Sequence, residues 1–465
     1  MSEQPANPNS HKPLTFADAD KLALKPFCER LEKYLLVDFD YADGSLVTAL
    51  DAGFGCGKTT FLEMWKNDLL VRRAGGAFVP MPVILNAWES DYCGDPLVAI
   101  LAGLLKSLEQ WKGADAPEKK EKTALRKSAN KVAWIAAALT NDLVAKATGM
   151  NAVKALELAE KQTAPEKKPT PDFISLFEER KKSLDDLKEQ MEEMFSGTTP
   201  KVFVFVDELD RCRPDYAVSY LETIKHVFNV KGMVFVLAVD LHHLEVSAKS
   251  LFGNDLVFTE YFRKFCHRTF HLPKPEQGPM QELLSEYVAK YVAITGMRTS
   301  RFRAVHTFNK DAAELAIGLQ MTPRQIQEAF RIFGHLLSTE DEARSGNIVQ
   351  GWSMGALFLC YLRINKNEFY QSIRHENHLC EDICTYLHAK LGFSNAEYWI
   401  MLYLSGISPE RLQTIDPTLH LQKLGYSVDP PGLRQYLSGF YTFWNRSQNP
   451  LGILCLKIEN AENLK

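Results

Sequence analysis

A chain of 465 residues with 46% hydrophobic and 24% charged residues is ordinary globular material with room for two to four domains, which excludes a fibrous or wholly disordered protein. Its formal net charge of −4 lays down no basic footprint, so charge does not indicate nucleic acid as a partner, although it leaves one open. The nine cysteines are odd in number and scattered, mostly inside apolar patterns, which excludes a disulfide framework and leads us to expect reduced thiols in a cytoplasmic protein.

Residues 1–14 are polar, carry several prolines and are expected to be disordered; with neither a charged n-region nor an apolar h-region, no signal peptide is expected. Helical periodicity then runs from Asp18 to Leu36, followed by the apolar stretch Ser45–Leu50, a candidate buried strand. Directly after it stands AGFGCGKTTFLEMW, residues 52–65. The spacing is that of a Walker A P-loop, relaxed only in beginning with Ala52 instead of glycine. Between a strand and a helix (Thr59–Leu70), the backbone N–H groups of Gly53, Phe54, Gly55, Cys56 and Gly57 and the positive helix end would enclose a polyphosphate. Glycines are needed because side chains would hold the backbone off the phosphate oxygens. Lys58 would neutralise the β- and γ-phosphates, Thr59 would ligate Mg²⁺, and Thr60 completes the cradle.

A second strand, Val83–Asn86, opens VILNAWESDYCGDP, and helix resumes over Pro96–Leu108. From 109 to 200 the composition changes to charged runs alternating with helical patterns, the last being Phe173–Phe195. Such a length far exceeds an ordinary crossover, so a protruding helical insertion is expected, its lysine-rich runs being solvated linkers. The apolar stretch Val132–Leu139 is eight residues long where a span needs roughly 20, so we expect a buried helix and no membrane span.

Lys201–Pro214, KVFVFVDELDRCRP, reads as a fully buried central strand with Asp207 and Glu208 at its C-terminal end, where open α/β sheets place ligands. This is the Walker B position: Asp207 would hold Mg²⁺ and Glu208 would polarise the attacking water. A helix over Tyr216–Val230, a strand over Met233–Val239 ending in Asp240, and a last apolar stretch Phe265–Leu272 complete five strands. The expected fold is α/β, a doubly wound parallel-sheet P-loop NTPase, with Glu208 favouring the additional-strand type. Its core takes in 15–108 and 201–275, with a helical lid at 276–335 and a mainly helical C-terminal domain at 336–465.

The chain resembles the KAP family of P-loop NTPases over roughly residues 15–335. The resemblance is carried by DADKLALKPFCERL, GFGCGKTTFLEMW, VILNAWESD, EYFRKFCHRTFHLP, MTPRQIQEAFRIF and above all VDELDRCRPDYAVSYLETIKHVFNVKGMVFVLAVD. It implies an ATP-hydrolysing domain related to signalling ATPases of the AAA+ and STAND type. It further implies a regulatory or motor subunit in a bacterial anti-phage defence system, with a protein effector encoded nearby. Many members carry transmembrane helices inside the domain; this insertion has no apolar span. Charge building on the γ-phosphate invites an arginine, in cis or from a second copy in a homo-oligomer. Arg211, Arg213 and Arg263 are placed for that, with Asp210 set to orient Arg211, and Arg324 is placed like the lid arginine that reads nucleotide in related ATPases.

Other readings are weaker. The sequence Asn309-Lys310-Asp311-Ala312 lacks the final aspartate of a guanine-recognition motif, so ATP is expected over GTP. Small-molecule P-loop kinases are compact, whereas this chain adds about 130 residues beyond the lid. An ATP-gated scaffold that binds protein partners with little turnover is the alternative, against which Glu208 argues. The His375, His378, Cys380, Cys384 and His388 cluster suits no zinc spacing and reads as an amphipathic helix. The tail aromatics, among them Phe358, Tyr361, Phe369, Tyr370, Tyr398, Trp399, Tyr403, Tyr436, Phe440, Tyr441, Phe443 and Trp444, read mainly as core.

Overall fold

The computed structural model describes residues 13–112, 116–148, 173–197, 199–294, 305–339, 350–375, 380–408, 410, 412, 416–443 and 449–463. The chain divides into two compact units. The first takes in the residues up to Asp20, Leu24–Gly53 and Lys58–Leu272; the second takes in Lys21–Ala23, Phe54–Gly57 and the chain from Pro273 onward.

The first unit is built on strands β1 (Leu46–Asp51), β2 (Met81–Asn86), β3 (Val202–Asp207), β4 (Met233–Val239) and β5 (Arg268–His271). They form one parallel sheet in the order β2-β3-β4-β1-β5. Because β4 lies between the P-loop strand β1 and the acidic strand β3, the fold is the additional-strand type of P-loop NTPase. Every residue of β3 and β4 is buried, which is why both read as unbroken apolar runs. The two faces of β3 differ. Phe203 and Phe205 meet Trp65 on the Lys58–Ala74 helix at ring distances of 5.7 and 4.8 Å. Val202, Val204 and Val206 share a core with Leu101, Tyr216 and Tyr220 on the other face. The sheet is therefore covered on both sides. Strand β5 is the exception: it is an edge, largely exposed, shorter than the expected 265–272 stretch because Phe265 and Cys266 pack into the core before it begins.

The register aligns the strand ends. Asn86 pairs with Asp207, Asp207 with Ala238, Val239 with Asp51, and Asp51 with His271. All five strands thus bring their C-terminal residues to one edge of the sheet.

The single helix expected over 18–36 is instead two. Phe16–Ala19 is a short helix, and Lys25–Asp40 a long one. Between them Ala23 adopts a left-handed φ of 54°, and the Asp20 carboxylate accepts the N–H groups of Leu24 and Lys25 at 2.7 and 2.8 Å. Pro26 explains the break, since its ring would clash with a helix arriving from Leu22. Within the insertion, Lys119–Thr148 and Phe173–Phe195 are helices, and Leu125, Ala129, Val132, Leu187, Met191 and Phe195 join the same core as the sheet. Their inner ends are packed into the unit, not projected from it. The lysine-rich run at 165–168 lies outside the described residues. Among the described residues no helix is long and apolar enough to cross a membrane.

The described elements of the second unit are helical, from Gln277–Ile294 to Pro450–Asn463. A division at 335/336 has no counterpart in it. The Pro323–Thr339 helix runs across that point, and Phe330, Phe333, Leu336 and Leu337 share one continuous core with Met280, Leu357, Trp399 and Leu454. Phe358 stacks on Trp399 at 6.0 Å, and Tyr361, Phe369, Tyr370 and Tyr403 are buried in the same core. The side chains of Tyr436, Phe440, Tyr441, Phe443 and Trp444 lie outside the described residues.

Candidate functional site

Strand β1 ends at Asp51 and the next helix opens at Lys58, leaving Ala52–Gly57 as the loop between them. Gly55 and Gly57 hold φ values of 79° and 94°, a region that glycine enters without steric cost. A side chain at Gly55 would also collide, since a Cβ there would lie 2.7 Å from that of Arg324; at Gly57 it would meet nothing, so only the backbone conformation demands glycine. The Lys58 ammonium donates to the carbonyls of Ala52 and Gly53, folding the loop around its own lysine.

On β3, Asp207 is the last strand residue and only 4% exposed. Burial raises its pKa; the Thr59 hydroxyl, the Glu208 N–H and the Lys58 charge work against that. The Thr59–Asp207 hydrogen bond joins the first turn of the P-loop helix to the end of β3 across the intervening β4. A hydroxyl and a buried carboxylate side by side are hard oxygen donors, the set that Mg²⁺ takes when phosphate and water complete its shell. These residues fit a nucleotide phosphate chain and its metal. Thr60 is an exposed neighbour on the same turn.

Glu208 stands in the left-handed region at φ 59°, rare and strained for a residue with a side chain. One carboxylate oxygen accepts the Asn86 amide N–H at 3.1 Å and the other pairs with Arg211 at 3.0 Å. Asn86 is fixed in turn, its amide oxygen accepting the Glu89 N–H at 3.1 Å. The Arg211 guanidinium lies 5.5 Å from the centre of the Trp88 ring.

The Asp210 carboxylate accepts the Asp240 N–H at 3.1 Å, because the short 3₁₀ turn Leu209–Arg211 carries it beside the end of β4 while Arg211 turns back to Glu208. Arg213 is bound to Asp91 by its backbone N–H, by Nε and, through its guanidinium, to the Asp91 carbonyl, each at 3.0 Å. Arg263 caps the Phe258–Phe262 helix on the surface, and no described hydrogen bond or ion pair joins it to the others. Within the second unit, Arg324 begins the Pro323–Thr339 helix behind a Thr322–Gln325 capping box. Its guanidinium lies 4.6 Å from the Phe54 ring centre and its N–H reaches the Gly55 carbonyl at 3.4 Å.

Sequence reasoning gave no role to Asn86, Asp91, Trp88, Asp51 or His271. Asp51 accepts the Leu241 N–H at 3.0 Å and contacts His271 Nδ1 at 3.1 Å, tying the ends of β1, β4 and β5 together. The available signal was positional, since Asn86 and Asp51 end their strands as Asp207 ends β3. Among the described residues no group of three or more His, Cys, Asp and Glu side chains could hold a metal ion. Of the His/Cys cluster, His378 lies outside the described residues, while Cys380 and Cys384 are core and His388 contacts the Tyr426 hydroxyl at 3.0 Å.

No curated protein matches the chain. Among solved structures, the ORC2 protein of Aeropyrum pernix in ADPNP–ADP complexes is similar at 12% identity over 95% of this chain and 86% of that one, with a TM-score of 0.31. The ORC1 protein of Aeropyrum pernix in complex with DNA is similar at 12% identity over 90% and 92%, with a TM-score of 0.32. The family model of the KAP family P-loop domain matches residues 25–339, more than half of the chain, and spans all five strands and the loop after β1. The chain belongs to the KAP family of P-loop NTPases.

Proposed function

We propose that this chain binds ATP with Mg²⁺ and hydrolyses it. One observation carries the reading: Thr59 and Asp207, brought together across the sheet, sit next to a second carboxylate, Glu208, at the same strand end. Gly53–Thr60 would cradle the phosphates, with Lys58 as their counter-charge, and Thr59 and Asp207 would hold the metal. The metal would supply charge stabilisation of the phosphate oxygens. Glu208 would take a proton from the attacking water as it adds to the γ-phosphorus; the bond to the β–γ bridging oxygen breaks, leaving ADP and phosphate. Multiple-turnover phosphate release from ATP tests this. Wild type should release phosphate steadily with Mg²⁺ and lose that activity in EDTA; tight ATP binding with no release beyond one turnover overturns the hydrolytic reading.

A second reading, an ATP-gated scaffold with little turnover, is favoured by the restraint of Glu208 between Asn86 and Arg211. The same assay separates the two.

The setting we propose is a regulatory or motor subunit in the bacterial cytoplasm, within an anti-phage defence system and with an effector protein encoded nearby. Nine free cysteines support a reducing compartment. Purification with the genomic neighbours, with and without ATP, tests the partner. A homo-oligomer would let a second copy present Arg263 to bound ATP. Mixing Lys58→Ala with Arg263→Ala should then restore activity that neither variant has alone; no rescue in a protein that stays monomeric with ATP overturns it.

A further inference from the structure

Two faces of the first unit stand uncovered among the described residues. One is a groove. The helices Pro96–Gln110 and Lys119–Thr148 lie side by side and leave about 310 Å³ between them. The floor is aliphatic, formed by Leu101 and Leu105 of the first helix and Ala129 and Ala133 of the second. The rim is cationic. Lys106 borders the groove, and Lys127 is exposed one turn before Asn130, which also lines it. Glu109 is neutralised by Arg126 at 2.8 Å, whereas Lys106 and Lys127 make no ion pair among the described residues.

The other face is a stripe. Along the Lys25–Asp40 helix and its cap, Tyr34, Val37 and Tyr41 recur at i, i+3 and i+7 and are 44%, 61% and 82% exposed. Asp40 and Asp43, both exposed and with no ion pair among the described residues, flank its C-terminal end, while Arg30 and Lys33 flank only its start. The two faces stand at opposite edges of the sheet. Pro96–Gln110 lies close on β2, where a Cβ at Gly103 would come within 2.1 Å of the Leu85 side chain. Lys25–Asp40 lies beside β5, with Tyr34 5.1 Å from the Phe270 ring and Asp38 3.4 Å from Arg268. β2 and β5 are the two ends of the strand order.

We infer that the groove of one copy receives the Tyr34–Val37–Tyr41 stripe of a second copy, joining chains head to tail. The inference rests on the homo-oligomer proposed above, gives it a surface, and needs no nucleotide. A helix that lays anchors at this spacing into an apolar groove is a recurring mode of recognition, and tyrosine supplies an apolar ring with a polar tip for the rim. Asp40 and Asp43 would meet Lys106 and Lys127. Groove against groove, or stripe end against stripe end, would bring like charges together instead. A merely solvated basic face would need no apolar floor. Because the two surfaces differ and occupy opposite edges, each pairing leaves one of each unfilled, so copies add in a ring or a row and not as a closed two-fold dimer.

Sedimentation equilibrium of the full chain without nucleotide, over a concentration series, tests this. Wild type should self-associate at about 0.1 M salt and come apart toward about 1 M, as the screening length shrinks from about 10 to about 3 Å. Lys106→Glu/Lys127→Glu reverses the groove and Asp40→Lys/Asp43→Lys reverses the stripe. Each should weaken association by about 10-fold or more, since like charges then meet. An equimolar mixture of the two should recover it, because the reversed groove of one chain faces the reversed stripe of the other. Val37→Ser/Tyr41→Ser should weaken association without altering its salt dependence, as burial of apolar area is not screened. All these positions are exposed, so the melting temperature of the dilute chain should hold. Association that neither reversal weakens, or a mixture that fails to recover it, overturns the inference and leaves the homo-oligomer standing on another surface. A chain that stays monomeric at every concentration overturns both and assigns the two faces to other proteins.

Discussion

The two units bury their polar groups for different ends. In the first, β3 is apolar up to its last residue and β4 throughout, and polar side chains gather at the strand ends, where Asp51, Asn86, Asp207 and Glu208 hold one another or the backbone. In the second, polar groups lie within a helical core. Glu459 accepts from Arg363 and from the Tyr370 hydroxyl at 3.0 Å, with Arg374 3.8 Å away, and the Tyr361 hydroxyl is fully buried without a hydrogen-bond partner among the described residues. A parallel sheet leaves its chemistry only one outlet, the edge where strands stop. A helical core has no such edge, so its buried charges serve packing and uniqueness. The difference predicts that substitutions in the first unit change what the protein does to nucleotide, while those in the second change whether it stays folded.

The largest effect should come from Glu208→Gln. ATP turnover should fall by about 10²–10⁴-fold, the range of one acid–base group, while ATP affinity stays at the wild-type value. Unchanged phosphate release would move water activation to another carboxylate at the same edge. Lys58→Ala should weaken ATP binding by about 10–150-fold, matching a charged hydrogen bond of about 1.5–3 kcal/mol, with the melting temperature preserved without nucleotide. Titration calorimetry that finds normal affinity would remove the loop after β1 as the phosphate site.

Glu459→Gln should do the reverse, lowering stability by about 1–2 kcal/mol in urea titration and leaving ATP affinity untouched. Burial works to raise the Glu459 pKa, but the Tyr370 hydroxyl and the Arg363 charge outweigh it and hold the carboxyl below its ordinary range. A group whose folded pKa is depressed stabilises above its unfolded value, about 4.3 for glutamate, and loses that contribution as pH falls through the folded pKa. The gap between wild type and Glu459→Gln should therefore be full at neutral pH and close only below about pH 4. A gap independent of acid would mean that the carboxylate charge is not what stabilises. The smallest effect is a gain. Tyr361→Phe removes a buried hydroxyl that lacks a partner among the described residues and should stabilise by up to about 1 kcal/mol; a clear loss would show a partner for that hydroxyl.

Local pattern was enough for much of the first unit. β4 lies where the apolar run Met233–Val239 placed it, because a strand buried on both faces needs every residue apolar and turn residues on either side. The Ala52–Thr60 loop was legible for a similar reason: glycines at fixed offsets and a lysine at a helix start are demands of the backbone itself. The break at Asp20–Leu24 was written in Pro26, yet helical periodicity across the gap concealed it until the Asp20 caps were visible.

What the chain order could not convey is which residues meet. Asn86 and Glu208 are 122 positions apart, as are Asp91 and Arg213, and only the β2–β3 register makes neighbours of them. That Arg211 turns to Glu208, leaving Asp210 to take the Asp240 N–H, depends on the handedness of one 3₁₀ turn and on where β4 ends. Likewise, no local feature shows that the helices on either side of residue 336 share a core, since burying an amphipathic face requires partners that periodicity does not name. Residue type and spacing determined the strands, the phosphate loop and the acidic strand end by the period and conformational needs of each segment. The order of the strands, and so the neighbours of every side chain at their ends, was decided by tertiary packing, because contact between distant segments is a property of the folded sheet and not of either segment alone.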